Sequence, residues 1–136
     1  AYAIGFQSLL WAAKRNEPIL VLVTNNAVYG MTGGQTAPTS MTGQKTSTSP
    51  SGYDGLPING PEMIRALNPD AYLARTSVSD IADLKKCIEK GIEAQQASNF
   101  ALVEMLSFCP LNWKVTGKAM FDYVDNMKKS FPVDEF

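Results

Sequence analysis

The 136-residue sequence contains no histidine, which excludes histidine general bases, histidine triads and histidine metal ligands. It has only two cysteines, Cys87 and Cys109, too few to hold an iron–sulfur cluster or a structural zinc ion. Because Ala1–Ala13 lacks the pattern of a secretory leader, free thiols are favoured over a disulfide. Packing roles are favoured over a reactive thiol, since free cysteines are usually buried and inert. If the chain takes part in catalysis, a cofactor must supply the chemistry.

Strong charge and long apolar runs are also missing. The net charge of −1 provides no basic field for nucleic acid. The longest apolar run, Ile19–Val23, is too short to cross a bilayer. We therefore expect no nucleic-acid or membrane partner, and a cytoplasmic location. The length allows one domain with a core, and not two.

The hydrophobic periodicity predicts an α/β fold. Helical spacing predicts helices over residues 6–13, 61–67, 77–92 and 116–129, and short apolar runs predict strands over residues 19–23, 71–75 and 100–106. Strands that alternate with helices indicate a parallel sheet covered by helices on both faces. Because the chain opens on a helix, we expect residues 1–136 to be a single partial domain, truncated on its N-terminal side.

Two of these elements carry more detailed expectations. Ile19–Val23 is typical of a strand that is buried on both faces. Ser77 and Asp80 resemble a capping box that opens the third helix. The apolar stripe predicted for that helix consists of Ile81, Leu84, Ile88 and Ile92.

A long segment over residues 30–58, rich in Gly, Thr, Ser and Pro, shows no hydrophobic period. A flexible linker is one interpretation. Its position directly after a predicted buried strand favours a functional loop, since ligands of open α/β sheets bind at the carboxyl ends of strands. Within it, residues 36–51 are interpreted either as a lid or as a surface that packs on a partner subunit.

The residues that could bind a ligand directly follow the first strand. Asn25 and Asn26 offer carboxamide oxygens, which suit Mg²⁺. The glycines at 30, 33 and 34 would let backbone N–H groups approach an anion. On these grounds alone, a magnesium–diphosphate site and an ordinary turn are equally supported.

A longer motif distinguishes these two interpretations. The string Val28-Tyr29-Gly30-Met31-Thr32-Gly33-Gly34-Gln35, preceded by Asn25-Asn26, resembles the thiamine-diphosphate motif of 2-oxoacid:ferredoxin oxidoreductases. Similarity continues through Gly43-Gln44-Lys45-Thr46 and Cys109-Pro110-Leu111-Asn112-Trp113, closest to the 2-oxoisovalerate branch of the family. The opening Ala1–Gly5 looks like the residues that follow Gly-Asp-Gly in this family, so the acidic magnesium ligand would lie upstream.

The resemblance implies a thiamine-diphosphate-binding fold and a set of site residues. The side chain of Asn26 and the carbonyl of Val28 would ligate Mg²⁺. Gly30, Met31 and Thr32 would hold the diphosphate through backbone amides and the Thr32 hydroxyl. Asn25 departs from the aspartate often found at its position. No catalytic side chain is expected in the chain.

For the whole protein, the resemblance implies oxidative decarboxylation of a 2-oxoacid to an acyl-CoA by an anaerobic-type, oxygen-sensitive enzyme. Electrons would pass to iron–sulfur clusters on another domain or subunit and then to ferredoxin. A pyrimidine-binding subunit and coenzyme A would complete the reaction, so the isolated chain is expected to be inactive. The alternatives are a cofactor-free structural fragment, or a 2-oxoglutarate- or pyruvate-specific member. A thiamine-dependent carboligase is disfavoured by the Tyr29–Gln35 string.

Overall fold

The computed structural model describes residues 2–136 as a four-stranded sheet with helices. In chain order the elements are α1 (Phe6–Lys14), β1 (Leu20–Asn25), α2 (Gly60–Leu67), β2 (Tyr72–Ser77), α3 (Ile81–Gln96), β3 (Ala101–Leu106), α4 (Pro110–Trp113), α5 (Lys118–Met127) and β4 (Asp134–Glu135). Each predicted helix and strand is present, with its ends shifted by a few residues. The sequence did not predict α4 or β4, which are too short to show a period.

The strand order is β1-β3-β2-β4. The first three strands are parallel, as predicted, and β4 pairs antiparallel with β2. The register aligns Val23 of β1 with Glu104 of β3 and Arg75 of β2. Because side chains alternate along a strand, these three residues lie on the same face of the sheet.

Helices cover both faces of the sheet, as predicted. On one face, Val23, Leu73 and Leu102 pack with buried residues of α1 and α2. On the other face, Ala74 and Val103 pack against Cys87 of α3. A third apolar cluster surrounds the carboxyl end of β3, where helix α5 packs.

The burial of β1 differs from the prediction. Leu22 is 48% exposed although it lies in the middle of the apolar run. Its neighbours in the register, Val103 and Ala74, are fully buried. The reason is topological, because β1 forms the edge of the sheet and α3 lies mainly over β2 and β3. A run of apolar residues does not reveal whether its strand is central or at an edge.

Helix α3 begins differently from the prediction. Its N-cap is Asp80, whose carboxylate accepts a hydrogen bond from the N–H of Asp83, while Ser77 ends β2. The predicted capping box was therefore three residues too early.

The buried positions of α3 also differ from the predicted stripe. Cys87 and Gly91 are the buried residues, whereas Ile81 and Ile92 are 54% and 41% exposed. A Cβ atom at position 91 would lie 2.7 Å from Leu20, so the helix approaches the sheet closely at this glycine.

The segment between β1 and α2 is ordered through its own contacts, which contradicts the flexible-linker interpretation. Ser40 is fully buried, and Ala37, Thr39 and Met41 are at most 9% exposed. Backbone hydrogen bonds connect Gly43 with Tyr53 and Ile58 with Pro38. Across residues 2–136, no helix combines the length and hydropathy that crossing a membrane requires.

Candidate functional site

A cavity of about 290 Å³ lies at the carboxyl end of β1. Its walls come from β1 and the turn after it, from the N-terminal segment at Tyr2, and from the long loop at Pro38. Asn26 and Val28, the two predicted metal ligands, both line this cavity. The structure thus brings these two residues together where a ligand of an open α/β sheet is expected.

The turn that carries these residues has an unusual backbone conformation. Ala27 lies between them with φ of +56°, a left-handed conformation that costs a non-glycine residue about 1–2 kcal/mol. Its N–H donates to the Asn25 side-chain oxygen at 3.0 Å. Its carbonyl accepts hydrogen bonds from Ser40 Oγ at 2.8 Å and Gln44 Nε2 at 3.0 Å. Contacts on both sides of this buried residue therefore hold a strained turn.

The two candidate ligands differ in how their oxygens are engaged. Asn26 Oδ1 accepts a long hydrogen bond of 3.3 Å from the Val28 N–H. The Val28 carbonyl accepts no hydrogen bond from any residue in the range 2–136. One oxygen is thus weakly bonded and the other is unbonded, so both are available to a cation.

The predicted diphosphate segment follows in a closed turn. The Tyr29 N–H donates to the Gln35 carbonyl, and the Gly34 N–H donates back to the Tyr29 carbonyl. Inside the turn, the backbone N–H groups of Gly30, Met31 and Thr32 donate to no acceptor within the described part of the chain. Three successive free amides are the feature that an anion-binding loop requires.

The Thr32 side chain is engaged in a different contact. Its hydroxyl donates to Gln35 Oε1 at 2.7 Å, and the Gln35 amide donates to the Thr32 carbonyl at 2.8 Å. Donation from this hydroxyl to a phosphate would therefore require it to leave Gln35. The backbone amides need no such rearrangement.

Helix α4 packs against the turn formed by residues 29–35, called here the glycine turn. Asn112 Nδ2 donates to the Gly30 carbonyl at 2.9 Å. A Cβ atom at position 30 would lie 2.9 Å from Cys109 Sγ, and one at position 34 would lie 2.5 Å from Asn112 Oδ1. Close packing against α4 thus accounts for Gly30 and Gly34 independently of any ligand. No role was predicted for the Asn112 side chain, because its partner lies 82 positions away.

A buried polar network lies behind the cavity on one face of the sheet. Asn25 Nδ2 donates to Glu104 Oε1 at 2.9 Å, and Arg75 Nε donates to Glu104 Oε2 at 2.5 Å. Glu104 and Arg75 are both fully buried. Glu62 of α2 completes the network with two hydrogen bonds to the Arg75 guanidinium. The sequence left Glu104 without an assignment, and the structure provides its partners.

Opposing effects set the ionisation of this network. Burial raises the pKa of Glu104, and the positive charge of Arg75 acts in the opposite direction. Burial also acts to lower the pKa of Arg75, but its bonds to Glu62 and its attraction to Glu104 outweigh that effect and raise it. Burial raises the pKa of Tyr2 as well, with a further contribution from the nearby Glu104 charge. Arg75 is therefore a permanent cation at the centre of the network.

The residues fit one half of a magnesium–diphosphate site. The oxygens of Asn26 and Val28 suit Mg²⁺, which prefers oxygen ligands, and the amides of residues 30–32 suit phosphate oxygens. A carboxylate ligand is lacking at the cavity, since no aspartate or glutamate lines it within residues 2–136. The remaining coordination would have to come from the phosphates, from water or from another segment.

The two cysteines and the two tryptophans do not line the cavity at the end of β1. Cys87 is buried, Cys109 is half-buried, and both are free thiols. Trp113 stacks on Tyr123 with ring centroids 3.8 Å apart, which is a packing contact. Trp11 is 55% exposed on α1.

Comparison with known proteins identifies the family. Residues 1–105 match the family model described as thiamine pyrophosphate enzyme, C-terminal TPP binding domain. The chain therefore belongs to this family of thiamine-diphosphate-binding domains.

More specific relatives are subunits of 2-oxoacid oxidoreductases, as the resemblance implied. The chain is 36% identical to the ketoisovalerate oxidoreductase subunit VorA of Methanothermobacter thermautotrophicus, over 98% of this chain and 30% of that protein. It is also 36% identical to the 2-oxoglutarate synthase subunit KorB of Archaeoglobus fulgidus, over 96% of this chain and 46% of that protein. The chain thus spans less than half the length of either relative.

A solved structure shares the fold. The 2-oxoglutarate:ferredoxin oxidoreductase from Magnetococcus marinus superposes with a TM-score of 0.78 over 93% of this chain and 41% of that chain, at 24% identity. This similarity confirms the predicted fold.

Proposed function

We propose that this chain supplies the diphosphate half of a magnesium–thiamine-diphosphate site in a 2-oxoacid:ferredoxin oxidoreductase. The observation that carries the proposal is the row of three free amides at residues 30–32, directly after a turn that brings two oxygen ligands to one cavity. In this arrangement Asn26 and the Val28 carbonyl would hold Mg²⁺. Gly30, Met31 and Thr32 would hold the diphosphate.

The residues of this chain would bind and orient the cofactor. Thiamine diphosphate, when bound, supplies the carbon nucleophile that attacks the 2-oxo group and stabilises the charge left by decarboxylation. The chain's own contribution is to neutralise and fix the diphosphate, so that the reactive ring is held in place. The strained turn at Ala27 serves this purpose because its backbone is held from both sides.

The overall reaction proposed for the whole protein converts a 2-oxoacid and coenzyme A into an acyl-CoA and carbon dioxide. Two electrons are released and would reduce two ferredoxins through iron–sulfur clusters held elsewhere. We assign the pyrimidine-binding and cluster-binding parts to other domains or subunits. We also propose a cytoplasmic location, where ferredoxin and coenzyme A are available.

2-Oxoisovalerate is the substrate that we favour, because the Gly43–Thr46 and Cys109–Trp113 strings resemble that branch and the chain is 36% identical to VorA. 2-Oxoglutarate is the second candidate, supported by the equal identity to KorB. Steady-state rates of ferredoxin reduction by the full-length protein with its partner subunits would decide between them. A higher kcat/KM for 2-oxoglutarate than for 2-oxoisovalerate would reject our first choice.

The cofactor assignment is tested by calorimetric titration of Mg²⁺ and thiamine diphosphate into the full-length protein with its partner subunits. We expect Asn26→Ala to weaken binding by about 10–100-fold, because it removes a ligand to the cation. Asn126→Ala is the matched control, since this asparagine is exposed on α5, away from the cavity. Equal affinity of both variants and wild type would reject Asn26 as a ligand. Absence of binding to the wild type would favour the cofactor-free alternative.

A further inference from the structure

The geometry points to Asn25 and Glu104 as a matched pair of positioning residues that sets the candidate cofactor turn. We infer that Glu104, fixed by Arg75, holds the Asn25 carboxamide in one orientation, and that this orientation keeps Ala27 in its left-handed conformation. The inference deepens the proposed function and rests on it for the link to the cofactor. The effect on the turn itself is independent of any ligand.

The Asn25 side chain has only one favourable orientation. It is 3% exposed and has two partners of opposite kind. The amide group donates to Glu104, and the oxygen accepts from the Ala27 N–H. A carboxamide turned by 180° would place its oxygen against the Glu104 carboxylate and its NH₂ against the Ala27 N–H. Both contacts would then be unfavourable, so a single orientation is allowed.

Arg75 fixes the position of Glu104. The second carboxylate oxygen of Glu104 accepts from Arg75 Nε, and the remaining guanidinium nitrogens donate to Glu62 and to the Pro132 carbonyl. Phe131 and Phe136 flank the guanidinium at 5.7 and 5.1 Å from their ring centroids. Arg75 therefore has no alternative position, and it holds the Glu104 carboxylate facing Asn25.

The turn at Ala27 links the pair to the cavity. The Asn25 oxygen is engaged by the Ala27 N–H and is not among the metal ligands proposed above, but residues 26 and 28 lie on either side of the turn that it closes. If Ala27 left the left-handed conformation, the Asn26 side chain and the Val28 carbonyl would point in different directions. The pair thus acts on the cofactor site through Ala27, without touching the cofactor.

A reciprocal exchange of side chains tests this idea. Asn25→Asp alone would place two carboxylates at hydrogen-bond distance. Glu104→Gln alone would direct its NH₂ group against a donor, either Arg75 or Asn25. The double variant restores every contact, because the new glutamine would donate to the new aspartate and accept from Arg75. The aspartate would still accept from the Ala27 N–H. The total charge of the pair is unchanged.

Two measurements on the full-length protein with its partner subunits decide the outcome. The first is hydrogen exchange of the Ala27 amide, which should be slow in wild type, faster in each single variant, and slow again in the double variant. The second is the affinity for Mg²⁺ and thiamine diphosphate. We expect each single variant to bind about tenfold more weakly and the double variant to recover to within about threefold of wild type.

The possible results separate this inference from the proposed function. Lower thermal stability of the single variants with unchanged cofactor affinity would show that the network serves the fold alone, and would overturn the inference. A double variant no better than the single variants would also overturn it. Failure of the wild type to bind the cofactor, with the expected exchange pattern intact, would overturn the proposed function while supporting the control of the turn by the pair.

A second variant covers the case in which the single variants do not fold. Gln44→Ala removes one of the two donors to the Ala27 carbonyl and leaves the charged network intact. Gln44 is only partly buried, so the fold should tolerate the change. We expect faster exchange at Ala27 and weaker cofactor binding by about three- to tenfold. Wild-type affinity in this variant would contradict the idea that the conformation of Ala27 controls the site.

Discussion

Replacing Gly34 with alanine tests the contact between the glycine turn and α4. The position has φ of +80°, which costs alanine about 1–2 kcal/mol relative to glycine. The new methyl group would also lie 2.5 Å from Asn112 Oδ1, so Asn112 must move. Its movement breaks the hydrogen bond to the Gly30 carbonyl, worth about 1 kcal/mol, and overpacking adds about 1–3 kcal/mol. We expect Gly34→Ala to lower the free energy of unfolding by about 3–6 kcal/mol.

Gly43→Ala is the matched control for this prediction. Gly43 has the same φ of +80°, but an added Cβ there would meet no atom within 4 Å. Its cost should therefore be the conformational part alone, about 1–2 kcal/mol. Urea denaturation followed by circular dichroism measures both variants. Equal destabilisation of the two would refute the proposed contact with Asn112.

Combining Gly34→Ala with Asn112→Ala tests the same contact. Asn112→Ala removes the side chain that Gly34→Ala would displace. The two changes together should cost less than the sum of the single costs, by about 2–4 kcal/mol, because the overpacking disappears and the hydrogen bond to Gly30 is lost only once. Additive costs would show that the two residues do not interact.

Other predictions concern the thiols and the sheet. Burial, followed by the negative charge of Asp83, raises the pKa of Cys87, so its thiolate population is small at pH 8 and increases only at higher pH. Maleimide should therefore label Cys87 in the native protein far more slowly than after unfolding, and native labelling at the unfolded rate would contradict its burial. Leu102→Ala in the central strand should cost about 2–5 kcal/mol in urea denaturation. Leu22→Ala, at the exposed edge, should cost less than about 1 kcal/mol, and an equal cost in the full-length protein would indicate that another segment covers β1.

The sequence predicted those parts of the fold that depend on local patterns. The helix over residues 6–14 and the strand over residues 101–106 follow from the spacing of their own apolar side chains. Strand order does not have a local signature, and neither does the exposure of Leu22, which depends on the position of β1 at the edge of the sheet. The two-residue strand β4 exists only because β2 offers a free edge.

In the candidate site too, the residues of a local motif were predicted, and the residues that meet through distant contacts were not. Asn26 and Val28 were predicted from a motif and lie at one cavity, because a single residue, Ala27, separates them. The supporting residues were not predicted, since their partners are distant in the sequence. Glu104 meets Asn25 across 79 positions, and the Ser40 hydroxyl meets the Ala27 carbonyl across 13. Neither pairing leaves a periodic trace in the sequence.

The position of β3 between β1 and β2 has a consequence for the order of folding. The first two strands pair with β3 and not with each other, so within this chain the parallel sheet cannot begin until residues 101–106 are available. Contacts of such long separation are slow to form. During synthesis, the polar loop and the candidate ligand-binding turn would leave the ribosome well before the strand that organises them. We therefore expect the turn at Ala27 to be among the last parts of the chain to acquire its native structure.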